Sequence, residues 1–165
     1  MKLFYVIMFI FIFSLQLYSI DSLYKIELLD KYSKNNNDII ALVFLNYGSC
    51  VKCIIYPEKI LIEAKTTTNI YFITIGMIYC NRVKELHNFK KIYNWNYNIE
   101  PDLKGLSRKK IGCKYDTDIC FLDNKGSILL ELKISSDYKE NLKKIISILN
   151  SHIKKIKKEN PESKP

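Results

Sequence analysis

An unbroken apolar run, Ile39-Ile40-Ala41-Leu42-Val43-Phe44-Leu45, stands between the polar cluster Lys34-Asn35-Asn36-Asn37-Asp38 and Gly48-Ser49. A short run without alternation is the pattern of a strand covered on both faces. A second such run, Asn69 to Tyr79, is rich in β-branched and aromatic residues and predicts another buried strand. Between them, Cys50 to Lys65 reads as a helix, with Ile54, Ile55, Leu61 and Ile62 turned inward and Ser49 placed to cap it. Pro57 falls inside that helix and should kink it. From Cys80 to about Tyr93, Val83, Leu86, Phe89 and Ile92 recur at helical spacing and predict a second helix.

Asn94 to Gly112 has no clear period, although Leu103 to Ile111 can hold a short helix. Asp118 to Asp123 and Ser127 to Ile134 flank Asn124-Lys125-Gly126, two strand patterns about a short glycine turn, hence a hairpin. A closing helix over Asp137 to about Ile156 lines up Leu142, Ile145, Ile146, Leu149, Ile153 and Ile156. The order is therefore β-α-β-α-β-β-α. A right-handed crossover makes the first two strands parallel and the hairpin adds the rest, giving a three-layer α/β/α fold with a central mixed sheet of about four strands.

The chain has 165 residues, the size of one domain. Met1-Lys2, the apolar stretch Leu3 to Phe13 and the segment Ser14 to Ser19 follow the layout of a secretory signal, expected to be cut after Ser19. The alternative is an uncleaved anchor, since counting on through Ile20 reaches about 18 residues, the lower edge of a spanning helix. The expected organisation is residues 1–19 signal, 20–37 an N-terminal extension that is a strand or a short helix, 38–156 the domain, and 157–165 a disordered basic and polar tail. Export to the bacterial periplasm or the outer face of the membrane is the expected location. Disulfides form and persist there, and all five cysteines lie in the exported part. The formal charge of +9 is concentrated in Lys139, Lys143, Lys144, Lys154, Lys155, Lys157 and Lys158, a solvated helix face and tail. With no nucleic-acid recognition motif in the chain, nucleic acid is not expected as a partner, and membrane contact is expected only if the N-terminal segment is retained.

The candidate chemistry lies in Cys50-Val51-Lys52-Cys53, directly after the first strand. Two thiols at this spacing can close a small reversible disulfide, and a helix N-terminus stabilises the thiolate that does the work. In this element order, with Asp102 to Ser107, Ile111-Gly112-Cys113 and Phe121-Leu122-Asp123-Asn124-Lys125-Gly126 leading into the hairpin, residues 38 to 150 resemble exported thioredoxin-like proteins of the TlpA/redoxin type. The resemblance implies thiol–disulfide exchange in which Cys50 attacks a substrate disulfide and Cys53 resolves the mixed disulfide. It implies protein thiols or disulfides and an upstream redox partner as partners, with no cofactor beyond the dithiol.

The chain departs from the family pattern at several positions. Ser49 replaces the usual tryptophan, Val51-Lys52 the usual inner pair, and Pro57 comes four residues after the second cysteine instead of five. Thr117 stands where the family has a cis-proline, which makes Ser49, Asp116 and Thr117 the candidates to line a substrate groove. No carboxylate lies between Ala41 and Tyr47 to assist deprotonation, leaving Asp116, Asp118 and Glu58 as substitutes or as solvated acids. Cys120, in mid-strand, reads as a core residue. Cys113 is either an accessory thiol, able to resolve a disulfide or to join Cys50 and Cys53 on a soft metal, or half of a structural bridge to Cys80 or Cys120. His87 and His152 have no ligand spacing to the cysteines. Two alternatives to an oxidoreductase therefore stand: a soft-metal binding or delivery protein, and a redox-inert interaction module on the same fold.

Overall fold

The computed structural model describes residues 23–34, 38–46, 48, 51–134 and 137–159. The expected signal, Ser49, Cys50 and residues 160–165 lie outside them. A helix over residues 23–32, α1, opens the described chain. There follow β1 (Ile40–Asn46), α2 (Val51–Thr68), β2 (Ile73–Cys80), α3 (Lys84–Tyr93), β3 (Asn98–Leu103), α4 (Ser107–Ile111), β4 (Ile119–Leu122), β5 (Ile128–Leu132) and α5 (Tyr138–Glu159). The sheet has five strands in the order β3-β2-β1-β4-β5. β3, β2 and β1 are parallel, and β4 and β5 are antiparallel to their neighbours.

The step from β1 to β2 and the step from β2 to β3 move the same way across the sheet. Right-handed crossovers then place α2 and α3 on one face. Their buried residues, Ile54, Ile60, Leu61, Ala64 and Phe89, share a cluster with Ala41, Val43 and Leu45 of β1 and with Ile145 and Leu149 of α5. Alternate β1 residues, Ile40, Leu42 and Phe44, point the other way, to Leu28 and Leu29 of α1, Ile111 of α4, and Cys120. The α/β/α layering holds, and the segment read as an extension supplies part of the second layer.

The fifth strand, β3, lies in the stretch without a sequence period. Its pattern N-I-E-P-D-L carries two acids and a proline, which an edge strand tolerates because one of its sides has no ladder. Helix faces also differ from expectation. In α2 the buried stripe is Ile54, Pro57, Leu61 and Ala64, at spacings of three and four, so Ile55 and Ile62 are exposed. Pro57 sits on that stripe and the helix runs through it. In α3 the inward residues are Leu86, Phe89 and Tyr93, whereas Val83 and Ile92 are exposed, because Cys80 belongs to β2 and the helix starts only at Lys84. The last helix extends to Glu159, into the segment expected as tail.

Candidate functional site

β1 is the point where the chain's direction of travel across the sheet reverses: β2 is reached through α2 on one face, and β4 only after α4 on the other. In open α/β sheets the crevice at the carboxyl ends of strands flanking such a switch is where ligands bind. Here that edge holds a cleft of about 520 Å³ lined by Asn46 at the end of β1, Tyr79 of β2, Lys104 and Gly105 after β3, Arg108 of α4 and Tyr115. α2 opens with Val51, so in the sequence Cys50 stands directly before it.

Cys53 is the third residue of α2 and is exposed. At this position its backbone N–H is among the donors that have no partner four residues back in the helix. Pro57, four residues on, has no N–H to give to the Cys53 carbonyl, so the first turn is released from the regular ladder at Cys53. Cys53 is disulfide-bonded, whereas Cys80, Cys113 and Cys120 carry free thiols.

Thr117 is brought to this edge by hydrogen bonds around it. The Phe44 N–H of β1 donates to the Asp118 carbonyl at 2.9 Å, and the Asp118 N–H donates to the Leu132 carbonyl at 2.9 Å. The Asp118 carboxylate accepts the Ile134 N–H at 2.9 Å, so it fastens the strand end and is not a solvated acid. Thr117 itself is buried, and its carbonyl accepts from Arg108 Nε at 2.8 Å. Asp116 faces solvent and pairs with Lys133 at 3.3 Å. No cis peptide occurs among the described residues, Thr117 included. Glu58 is half-buried and lies off the Cys53 face of α2, and burial pushes its carboxyl up.

Behind this loop stands a buried pair that reading the sequence did not single out. Asp102, at 1% exposure, caps α4 by accepting the Ser107 N–H at 2.8 Å, and its second oxygen has no hydrogen-bond partner among the described residues. Arg108 Nη1 stands 4.0 Å from that oxygen, with its guanidinium 4.5 Å over the Phe44 ring. One arginine thus links β3, the Thr117 carbonyl and β1. The only sequence signal was an aspartate ahead of the short helix pattern at Leu103 to Ile111, a weak cap signature.

Cys113 follows Gly112, the left-handed cap of α4, whose N–H reaches the Lys109 carbonyl at 3.0 Å while the Cys113 N–H reaches Arg108 at 2.8 Å. This Schellman turn directs Cys113 to the sheet face under α1, where it packs into the same cluster as Cys120 and the two thiols are close enough to interact. The neighbouring Cys113 thiol, then burial, raises Cys120 well above the ordinary thiol range. Burial also raises Cys80, with Glu85 and Asp102 adding to it. Cys120 is a core residue, as its place in mid-strand implied. Among the described residues no group of three or more His, Cys, Asp or Glu side chains could hold a metal, and no helix is long and apolar enough to cross a membrane.

The layers, the strand order and a dithiol sequence at the head of the first crossover helix define a thioredoxin-like fold. Solved structures agree: a protein assigned as a DsbE thiol:disulfide interchange protein from Chlorobium tepidum superposes with TM-score 0.51 at 18% identity, covering 69% of this chain and 82% of that one. A protein assigned as a thioredoxin from Neisseria meningitidis gives 0.52 at 16% identity over 70% and 77%. A thioredoxin-like protein from Porphyromonas gingivalis gives 0.50 at 13% identity over 71% and 79%. No family model and no curated protein sequence matches the chain.

Proposed function

We propose that the protein is an exported thiol–disulfide oxidoreductase working through Cys50 and Cys53. The observation that carries this reading is Cys53, exposed and disulfide-bonded in the first turn of α2 while the three other described cysteines are free. This reading assigns Cys50, three positions earlier in the sequence, as its partner. The thioredoxin-like fold supports it further, since one of the similar structures is assigned as a thiol:disulfide interchange protein.

In the reduced form, the Cys50 thiolate, stabilised by the α2 N-terminus, attacks a sulfur of a substrate disulfide and expels one substrate thiolate. Cys53 then loses its proton and attacks the Cys50 sulfur, which releases the second substrate thiolate and closes the Cys50–Cys53 disulfide. Two electrons pass to the substrate, and an upstream dithiol returns them. The oxidised form runs the same steps in reverse on substrate thiols. No cofactor enters either direction. The Thr117 loop and the cleft behind it supply the surface on which a substrate chain docks.

The test is a redox titration of the chain without residues 1–19 in a graded glutathione series. A single reversible two-electron transition is expected, abolished in both Cys50→Ser and Cys53→Ser, with insulin reduction lost in the same variants. A disulfide at Cys53 that cannot be reduced across the series, or insulin reduction that survives Cys50→Ser, overturns the reading. Export is checked separately by sequencing the N-terminus of the secreted protein, which should begin at Ile20.

A further inference from the structure

Cys113 and Cys120 lie seven positions apart in the sequence, and two unrelated features bring their sulfurs together. The Schellman turn after α4 drops Cys113 onto the sheet, and the loop 114–118, fastened to β1 through Asp118, returns as β4 with Cys120 facing the same layer. Cys120 sits opposite Leu42 and Glu131 in the ladders and is fully buried. Cys113 is half-buried, so it alone offers a sulfur to solvent. Both thiols are free and share one packed cluster on the α1 face, close enough to interact, and neither belongs to the face that carries α2.

We propose that Cys113 and Cys120 are a second redox couple, oxidised by an external disulfide to an intramolecular Cys113–Cys120 bond that closes the loop carrying Thr117. In the first step the Cys113 thiolate attacks one sulfur of an external disulfide RSSR, forming Cys113–S–S–R and releasing RS⁻. In the second the Cys120 thiol gives up its proton and attacks the Cys113 sulfur, releasing the other RS⁻. The two cysteines lose two electrons and two protons, and RSSR becomes two RSH. Access sets the order, because an incoming disulfide can reach Cys113 and not Cys120. The closed loop contains Tyr115, Asp116 and Thr117, so this bond would pin the carbonyl that Arg108 holds and the wall of the cleft next to it.

The couple is read in the full chain carrying Cys50→Ser and Cys53→Ser, so a negative result leaves exchange at Cys50 untouched. The chain is equilibrated with mixtures of oxidised and reduced glutathione, quenched in acid, alkylated under denaturing conditions and digested with trypsin. Cleavage after Lys110, Lys114 and Lys125 separates the two cysteines into peptides 111–114 and 115–125, so their disulfide appears as a linked pair. That pair should grow with the oxidised fraction and vanish with dithiothreitol. With Cys120→Ser added, a glutathione adduct on Cys113 should persist in its place. If this variant does not fold, Cys113→Ser at the half-exposed position decides: Cys120 should then stay unmodified in the folded chain. A glutathione adduct on Cys113 with Cys120 alkylated throughout the series, or modification of Cys120 in Cys113→Ser, overturns the proposal.

Discussion

Asp102 concentrates much of what distinguishes this edge of the sheet. A carboxylate at 1% exposure is tolerated in a protein interior only when hydrogen bonds and opposite charge offset its lost hydration, and here the Ser107 N–H and the more distant Arg108 do so. Removing the acceptor while leaving Arg108 at 17% exposure should cost about 2 kcal/mol. Asp102→Ala is therefore expected to lower the urea midpoint, and Asp102→Asn, which keeps an acceptor for Ser107, to lower it less. Equal losses in the two variants would show that the charge, not the cap, is what matters. Neither Asp102 nor Arg108 could be singled out in the sequence, because each gains its role from contacts with a distant strand. The cysteines were easier to read. Their spacing and the strand before them made Cys50 and Cys53 the candidates, and mid-strand placement marked Cys120 as core. Contact between Cys113 and Cys120 depends on a loop conformation that no spacing encodes.

At the scale of elements, two packing contacts decide how the layers close. Leu28 and Leu29 of α1 are buried against β1, β4 and α4, so the N-terminal helix is a structural layer. Leu28→Ala should destabilise the chain by about 2–4 kcal/mol, and a change within 0.5 kcal/mol in chemical denaturation would mean that α1 is only loosely attached. On the opposite face Gly76 of β2 leaves room for the indole of Trp95, whose atoms would stand 3.2 Å from an added Cβ. Trp95 is buried and cannot yield without disturbing Phe89 and Tyr97, its aromatic neighbours. Gly76→Val is expected to cost about 1–3 kcal/mol and to shift the emission of the chain's single tryptophan to the red. Native stability with unshifted emission would remove Gly76 from this role. The main strands and long helices were legible because their apolar runs and stripes are local. β3 was not, because an edge strand pairs on one side and needs no apolar pattern.

Across the whole molecule, tyrosine hydroxyls tie elements distant in sequence together. Tyr32 of α1 donates to Glu100 of β3, and Tyr138 of α5 donates to Glu63 of α2. Both phenols are pushed up to about 12 from the ordinary 10.0, first by burial and then by these hydrogen bonds. Each therefore holds its proton more tightly folded than unfolded. Their stabilisation is complete below about pH 10 and is lost as pH rises through about 12. The melting temperature should fall steeply over that window, and the double variant Tyr32→Phe and Tyr138→Phe should fall less steeply from a lower starting value. Parallel curves for the two proteins would exclude these phenols as the cause.

Contiguous residues were enough to read the layer architecture, the buried strands β1 and β2, the hairpin and a Cys-x-x-Cys spacing at the start of the first crossover helix. Each of these is written in contiguous residues, as an apolar run, a helical stripe, a glycine turn or a fixed spacing. The Asp123 side chain, which takes the Lys125 and Ser127 N–H groups at 2.9 and 2.7 Å, shows why the turn was readable: its bonds are all local. Long-range packing alone makes residues 98–103 complete the sheet, sets Arg108 between Asp102 and Thr117, and brings Cys113 to Cys120. Those contacts join segments whose patterns carry no mutual reference, and they form only when the crossovers bring the strand ends to one edge.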